Sequence, residues 1–289
     1  KESLSWGIPV PNDPSQTMYV WVDALSNYIS ALDWAHNGEN FQNFWPADVH
    51  LIGKDILRFH AMIWPALLLS AGIDLPKTIY VHGFITVDGQ KMSKSIGNVI
   101  DPFAMAEKYT PEVFRYFLLR EIPSGGDGDF SEKKLIDRYN GDLANGLGNL
   151  VSRVITLIDK NLDAELIYKE QFLDADVALK ISQVWDAYRD TLDNFKLNET
   201  LAVVWDLVAY ADKYMNDHQP WKQEGQEFLR TMTNLVMLLH NISRMLLPFM
   251  PKTAEKIMNI LGVEPGIDPV EDFKFSVTKG AGLFPRLES

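Results

Sequence analysis

From Glu132 to about Leu261 the apolar residues recur at helical spacing almost without a break. The runs are "EKKLIDRYNGDLANGLGNLVSRVITLIDKNL", "DADVALKISQVWDAYRDTLDNF", "NETLAVVWDLVAYADKYMNDH" and "QEFLRTMTNLVMLLHNISRMLLPFMPKTAEKIMNIL". Amphipathic helices of this length must bury their apolar stripes against one another, so the rear of the chain is expected to be a helix bundle. Asn198, followed by Glu199 and Leu201, is the expected cap of the third run. The closing "GAGLFPRLES" is too short to fold alone and is expected to pack back on the body.

The front follows a different pattern. "TMYVWVDAL" reads as a strand entering a helix at Asp23, with Tyr19, Trp21 and Asp23 on one strand face by alternation. "FWPADVHLIGKD" reads as a strand ending at Gly53, and "DILRFHAMIWPALLLSAG" as an apolar helix ending at Gly72. "TIYVHGFITVDGQ" holds a further strand and a turn at Asp88-Gly89. Strand and helix in alternation imply an α/β layer with parallel pairing, in which ligands sit at the carboxyl ends of the strands. After Pro111 come an amphipathic helix, "PEVFRYFLLREIP", and a loop, "SGGDGDFS". The fold class is therefore α/β followed by all-α, with expected boundaries at 1–105, 106–138, 139–262 and 263–289.

Composition narrows the function classes. With 27 Lys and Arg against 39 Asp and Glu, the net charge over 289 residues is −12. That balance opposes broad nucleic-acid binding by a basic face but leaves room for a local basic site. There is no cysteine, and no two of the six histidines stand at ligand spacing, so neither disulfides nor a structural metal site is expected. No apolar run approaches the roughly 20 residues of a membrane helix, and the expectation is a soluble, cytoplasmic protein.

Four constellations carry chemistry. In "TVDGQKMSKSIGNVIDP" small residues, hydroxyls and the ammonium groups of Lys91 and Lys94 can wrap phosphates, although composition alone favours a solvated loop. In "DILRFHAMIWPALL" residues Ile56, His60 and Trp64 share a helix face, and Trp21, Leu25 and Tyr28 can converge on it. Such a stripe is either core packing or an aromatic pocket suited to a polarisable sulfur. Gly53 and Asp55 end a strand, where a ligand would lie in such a sheet, and Asp55 serves equally as a helix cap. In "YNGDLANGLGNLVSRVITL" the polar residues Asn145, Asn149 and Arg153 recur every four residues, and Trp221 directly follows a proline. Amides, a guanidinium and an exposed indole are the groups that read and stack unpaired RNA bases, or else they form a solvated face beside a buried indole.

"KMSKS", Lys91 to Ser95, followed by Gly97-Asn98, resembles the second signature motif of class I aminoacyl-tRNA synthetases. The resemblance extends to the methionyl-tRNA synthetase family through "GIPVP", "YVWVDALSNYISAL", "LIGKDILRFHAMIWPALLL", "VHGFITVDGQKMSKSIGNVIDP", "RYFLLREIPSGGDGDFS" and "LANGLGNLVSR", essentially the whole chain. It implies the C-terminal half of a class I Rossmann-like nucleotide-binding domain followed by a helical-bundle anticodon-binding domain. It implies ATP, with Mg2+, as the energy source, and L-methionine and tRNA(Met) as partners. Lys94 is implied as the principal phosphate contact with Lys91 assisting, and Ser93 and Ser95 as further ATP contacts. Gly53, Asp55 and the backbone around Val81 and His82 are assigned to ATP, and Trp21, Leu25, Tyr28, Ile56, His60 and Trp64 to methionine. Leu25 stands where some members have proline. Asn145, Asn149, Arg153 and Trp221 are assigned to the anticodon, and residues 106–138 to the tRNA stem.

The family also needs an N-terminal half carrying a histidine-rich first motif, which residues 1–289 do not contain. The expectation is that this chain works with a preceding segment, covalent or separate. A tRNA-binding module that keeps the fold without catalysis is the alternative, and the intact lysine loop and pocket favour the enzyme.

Overall fold

The computed structural model describes residues 6–93, 95–280 and 282–288. The chain divides into two compact units, Lys1–Phe84 and Ile85–Ser289.

The first unit opens with an antiparallel pair, β1 (Pro9–Val10) and β2 (Asp13–Thr17). Helix α1 (Val20–Ser30) follows, then α2 (Glu39–Phe44), β3 (Val49–Gly53), α3 (Trp64–Ala71) and β4 (Thr78–His82). Residues 20–23, expected as strand, are helical. Their aromatic and β-branched side chains suit a strand locally, but Leu25 and Ile29 are buried at helical spacing and that packing decides the conformation. Strands β3 and β4 pair in parallel from Val49↔Thr78 to Gly53↔His82. Gly53 and His82 thus lie side by side at the carboxyl end of the pair. A core of Leu25, Ile29, Trp45, Trp64, Leu68 and Ile73 closes the unit.

The second unit begins with the hairpin β5 (Ile85–Val87) and β6 (Gln90–Lys91). Helices α4 (Pro102–Tyr109) and α5 (Pro111–Glu121) lead to β7 (Gly128–Phe130). The "SGGDGDFS" segment is therefore not wholly loop: β7 pairs in parallel with β5, and the sheet order is β6-β5-β7. Then come α6 (Glu132–Arg138), a π-helical stretch at Tyr139–Gly148, and α7 (Asn149–Asn161). Strand β8 (Glu165–Ile167), α8 (Ala175–Asp193), α9 (Leu197–His218), α10 (Gly225–Leu246), α11 (Pro251–Leu261) and β9 (Lys274–Ser276) complete it.

Helix α10 is the axis of the bundle and packs against α7, α8, α9 and α11. Leu235, Leu238, Leu239, Ile242, Met245 and Leu246 on it are fully buried, and each such side chain contributes about 1.5–3 kcal/mol. The long final run breaks between Leu246 and Pro251, where Glu112 caps the new helix by accepting from the Lys252 and Thr253 amides at 2.5 and 3.0 Å. Gly262 ends α11 at φ 70°, and a Cβ there would lie 2.6 Å from the Ser276 carbonyl oxygen, so only glycine fits. Asn198 does not cap α9. It lies inside the first turn and accepts from Ser124 N at 3.2 Å, while the Ser124 hydroxyl takes the Leu197 N–H at 2.9 Å. After β9 the chain returns to the π-helical stretch, where Tyr139 donates to the Pro285 carbonyl at 2.7 Å and Asn140 bonds both the N–H and the C=O of Leu287 at 3.0 Å.

His240 on α10 is buried at 2 % exposure, and neither ring nitrogen has a hydrogen-bond partner among the described residues. Burial, reinforced by the Arg244 charge and opposed by Asp268, pushes its pKa from 6.5 down to about 4. The folded chain thus refuses a proton that the unfolded chain accepts, so stability present above pH 6.5 is lost as pH falls toward 4. For this shift the loss is about 3 kcal/mol. Urea denaturation of wild type and His240→Leu across that window should show a flatter profile for the variant. Identical profiles would contradict the assignment.

Candidate functional site

In the first unit the helix that follows β3 is not uniform. Lys54–Ile56 forms a tight 3₁₀ turn and Phe59–Ile63 a π-helical turn before α3. The wide π turn lags behind α geometry, and it keeps residues four apart in line over a longer run. Accordingly His60, Trp64 and Leu68 are all buried on one face, with Ile56 half-buried above them.

His60 organises this face. Its Nδ1 lies 3.0 Å from the Ile56 carbonyl oxygen, which can only accept, so Nδ1 carries the proton in the neutral ring. Nε2 is then an acceptor, and the Tyr28 hydroxyl donates to it at 3.0 Å. Trp21 meets the His60 ring edge-on at 6.1 Å between centroids, and Tyr28 lies 6.0 Å from Trp64. Leu25, on the same helix as Trp21 and Tyr28, is buried beneath them. Ring contacts thus join Trp21, Tyr28, His60 and Trp64, Leu25 belongs to the same core, and Ile56 meets the group through its carbonyl.

Three members were not singled out in the sequence. Phe59 stacks on Trp21 at 4.1 Å, Trp45 meets Trp64 at 6.0 Å, and His50 lies 4.3 Å from Tyr28. Strand alternation in "VHLIG" is the signal for His50, since it puts His50 and Ile52 on the inward face. Burial, and then the neighbouring His60, hold the His50 imidazole below its ordinary pKa.

At the carboxyl end of β3 and β4, Gly53, Asp55, Val81 and His82 come together. A Cβ on Gly53 would lie 2.7 Å from Asp55 Oδ1 and 3.5 Å from the His82 ring, so a side chain there would push the Asp55 carboxylate aside. Asp55 lies inside the 3₁₀ turn, whose cap position is Gly53, and so is not the cap. No group of three or more His, Asp or Glu side chains that could hold a metal ion occurs among the described residues.

In the second unit Lys91 ends β6 with its side chain exposed, and the loop after it is closed at its neck by Asn98. Asn98 Oδ1 accepts from Ser93 N at 2.9 Å and its Nδ2 donates to the Lys91 carbonyl at 3.2 Å. The Ser93 and Ser95 hydroxyls lie 2.7 Å apart. Lys94 lies outside the described residues. The polar stripe is also present: Asn145 and Asn149 are exposed, and Arg153 is half-buried on α7. Arg153 donates to Asp212 and to Asn216, both at 2.8 Å, and stands 5.7 Å from the half-exposed Trp221 ring. Asp212 and Asn216, one turn apart on α9, were not expected from the sequence. Asn145 instead lines a cleft with Asn140 and Arg286.

Residues 2–155 match the model of a family described as tRNA synthetases class I (M), and residues 174–276 match the anticodon-binding domain of tRNA ligase. A methionine–tRNA ligase of Caldanaerobacter subterraneus subsp. tengcongensis is 41 % identical over 303 residues, covering 100 % of the chain. The chain belongs to the methionyl-tRNA synthetase family. A relative from Thermotoga maritima is 40 % identical with the same coverage. The solved methionyl-tRNA synthetase of Mycobacterium tuberculosis in complex with methionyl-adenylate superposes with a TM-score of 0.87 at 39 % identity, covering 99 % of the chain and 59 % of that protein. Like its synthetase relatives, the chain combines a class I synthetase fold with a helical anticodon-binding region. It spans about half the length of the curated relatives it matches, 48 % in both bacteria.

Removing the Tyr28 hydroxyl leaves His60 Nε2 without its donor. Tyr28→Phe is expected to lower the stability of the first unit by about 1 kcal/mol, read by urea denaturation followed through tryptophan fluorescence. An unchanged midpoint would contradict the hydrogen bond.

Proposed function

We propose that these residues serve an enzyme that activates L-methionine with ATP to methionyl-adenylate and transfers it to tRNA(Met) in the cytoplasm. The proposal is for the chain within a synthetase that also supplies the rest of the relatives' length. The observation that carries it is the cluster of Trp21, Tyr28, His60 and Trp64. Aromatic rings attract a polarisable thioether by about 0.3–1.5 kcal/mol per contact, and a charged or strongly hydrated side chain would lose its water there. Leu25 and Ile56 complete the apolar wall.

In this reading Gly53 admits the ATP backbone, Asp55 accepts from the ribose hydroxyls, and the main chain at Val81 and His82 meets the adenine edge. A methionine carboxylate oxygen attacks the α-phosphorus, the bond from that phosphorus to the bridging oxygen breaks, and pyrophosphate leaves with the electron pair. Lys91 and Lys94, helped by the Ser93 and Ser95 hydroxyls, neutralise the charge that grows on it. Because that charge is largest in the transition state, the contact accelerates the step, and one such donor is worth about 3 kcal/mol. Mg2+ accompanies ATP on its phosphates, which is the usual mode for this ion.

For the tRNA, residues 106–138 contact the stem and 139–262 the anticodon. Asn145, Asn149 and Arg153 read edges of the CAU bases, and Trp221 stacks one of them. Its placement after Pro220 and its exposure support that role.

In the complete synthetase Trp21→Ala should raise the methionine KM in ATP–pyrophosphate exchange by about tenfold or more, with the ATP KM within about twofold. Equal effects on both substrates would remove the reading. Trp221→Ala should raise the KM for tRNA by about tenfold while leaving exchange intact. The isolated 289-residue chain should show no exchange above background. Vigorous exchange by that chain would overturn the dependence on the other half.

A further inference from the structure

The lysine loop hangs from a slender support. Strand β6 has two residues and pairs with β5 at Thr86↔Lys91 and Val87↔Gln90 only. Two residue pairs do not hold a hairpin in register by themselves. The other edge of β5 pairs with β7, at Ile85↔Gly128, Thr86↔Asp129 and Val87↔Phe130. Lys91, Thr86 and Asp129 therefore occupy one rung across the sheet, where paired side chains share a face.

Asp129 reaches along that rung. Its Oδ1 accepts from the Thr86 hydroxyl at 2.7 Å and from the Gly89 amide at 2.7 Å, and Lys134 lies 3.3 Å from Oδ2. Gly89 is in the hairpin turn, where Asp88 and Gly89 both have positive φ, 48° and 76°. A second bond joins the turn to the same strand, from Asp88 N to the Phe130 carbonyl at 3.1 Å. One carboxylate thus holds both the strand that precedes the turn and the turn itself. The Gly89 amide first, then the Thr86 hydroxyl and Lys134, keep its pKa below the usual carboxylate value.

We propose that Asp129 is a positioning residue for amino-acid activation: by pinning Thr86 and Gly89 it fixes the rung from which Lys91 and the lysine loop project. The proposal rests on the reading that this loop serves the ATP phosphates. Asp129 acts through the hairpin and touches no substrate itself.

The test uses the complete synthetase with Asp129→Ala, Asp129→Asn and Lys91→Ala in ATP–pyrophosphate exchange. Asp129→Ala should lower kcat by about tenfold or more and change the methionine KM by less than about twofold. Asp129→Asn keeps a side-chain oxygen acceptor for both donors and should recover most of the rate. Amide exchange at Gly89 should quicken in the alanine variant and not in the asparagine variant. Wild-type kcat in Asp129→Ala would overturn the proposal, and so would equal loss in both Asp129 variants or a loss accompanied by a raised methionine KM. If Lys91→Ala leaves exchange unchanged, the reading of the loop itself fails; if Lys91→Ala is impaired and Asp129→Ala is not, only the positioning role fails.

Discussion

The first unit depends on an imidazole with both nitrogens committed. His60 donates a hydrogen bond to the Ile56 carbonyl and accepts one from the Tyr28 hydroxyl, so one ring ties α1 to the helix that follows β3. Those two bonds fix its tautomer and its plane, and the surrounding rings then have defined faces to pack on. Trp21 takes the edge of His60, His50 and Trp64 flank Tyr28, and Trp45 backs Trp64. In the proposed reading, a cage whose rings are already oriented by their own contacts leaves little ordering to be done on binding.

The second unit solves a different problem. A chain of net charge −12 does not attract RNA over its whole surface. At Arg153 the positive charge is itself balanced by Asp212, with Asn216 holding the second arm of the guanidinium and Trp221 alongside. In the proposed reading, a neutralised, oriented guanidinium beside an exposed indole serves base edges and stacking rather than phosphate contact. The lysine hairpin is held by the same means: short strands whose geometry is completed by side chains from elsewhere in the unit, Asp129 at the turn and Asn98 at the neck.

Periodic features were legible in the sequence. The bundle followed from helical spacing in α7 to α11, and β3, β4 and the Asp88-Gly89 turn from local composition. Residues 20–23 were misread because their side chains favour a strand, while the burial of Leu25 and Ile29 that overrides them is tertiary. Strand β7 was hidden because its partner lies some forty residues earlier, and a glycine-rich run gives no local sign of such pairing. Asn198 looked like a cap, but Ser124, brought in from 74 positions away, supplies that function instead. At the candidate site, spacing and resemblance picked out Trp21, Tyr28, His60 and Trp64. His50, Asp212 and Asn216 were missed because each sits in an ordinary strand or helix pattern and acquires its role only from the neighbour it meets.

The central claim, that the His60 cluster is a cage for a thioether, is most directly tested by titrating the tryptophan fluorescence of the complete synthetase with methionine, norleucine and methionine sulfoxide. A cage that uses sulfur–aromatic contacts predicts saturable quenching by methionine, binding weaker by about threefold or more for norleucine, which has a methylene in place of sulfur, and none for the polar sulfoxide. Equal affinity for all three would contradict it.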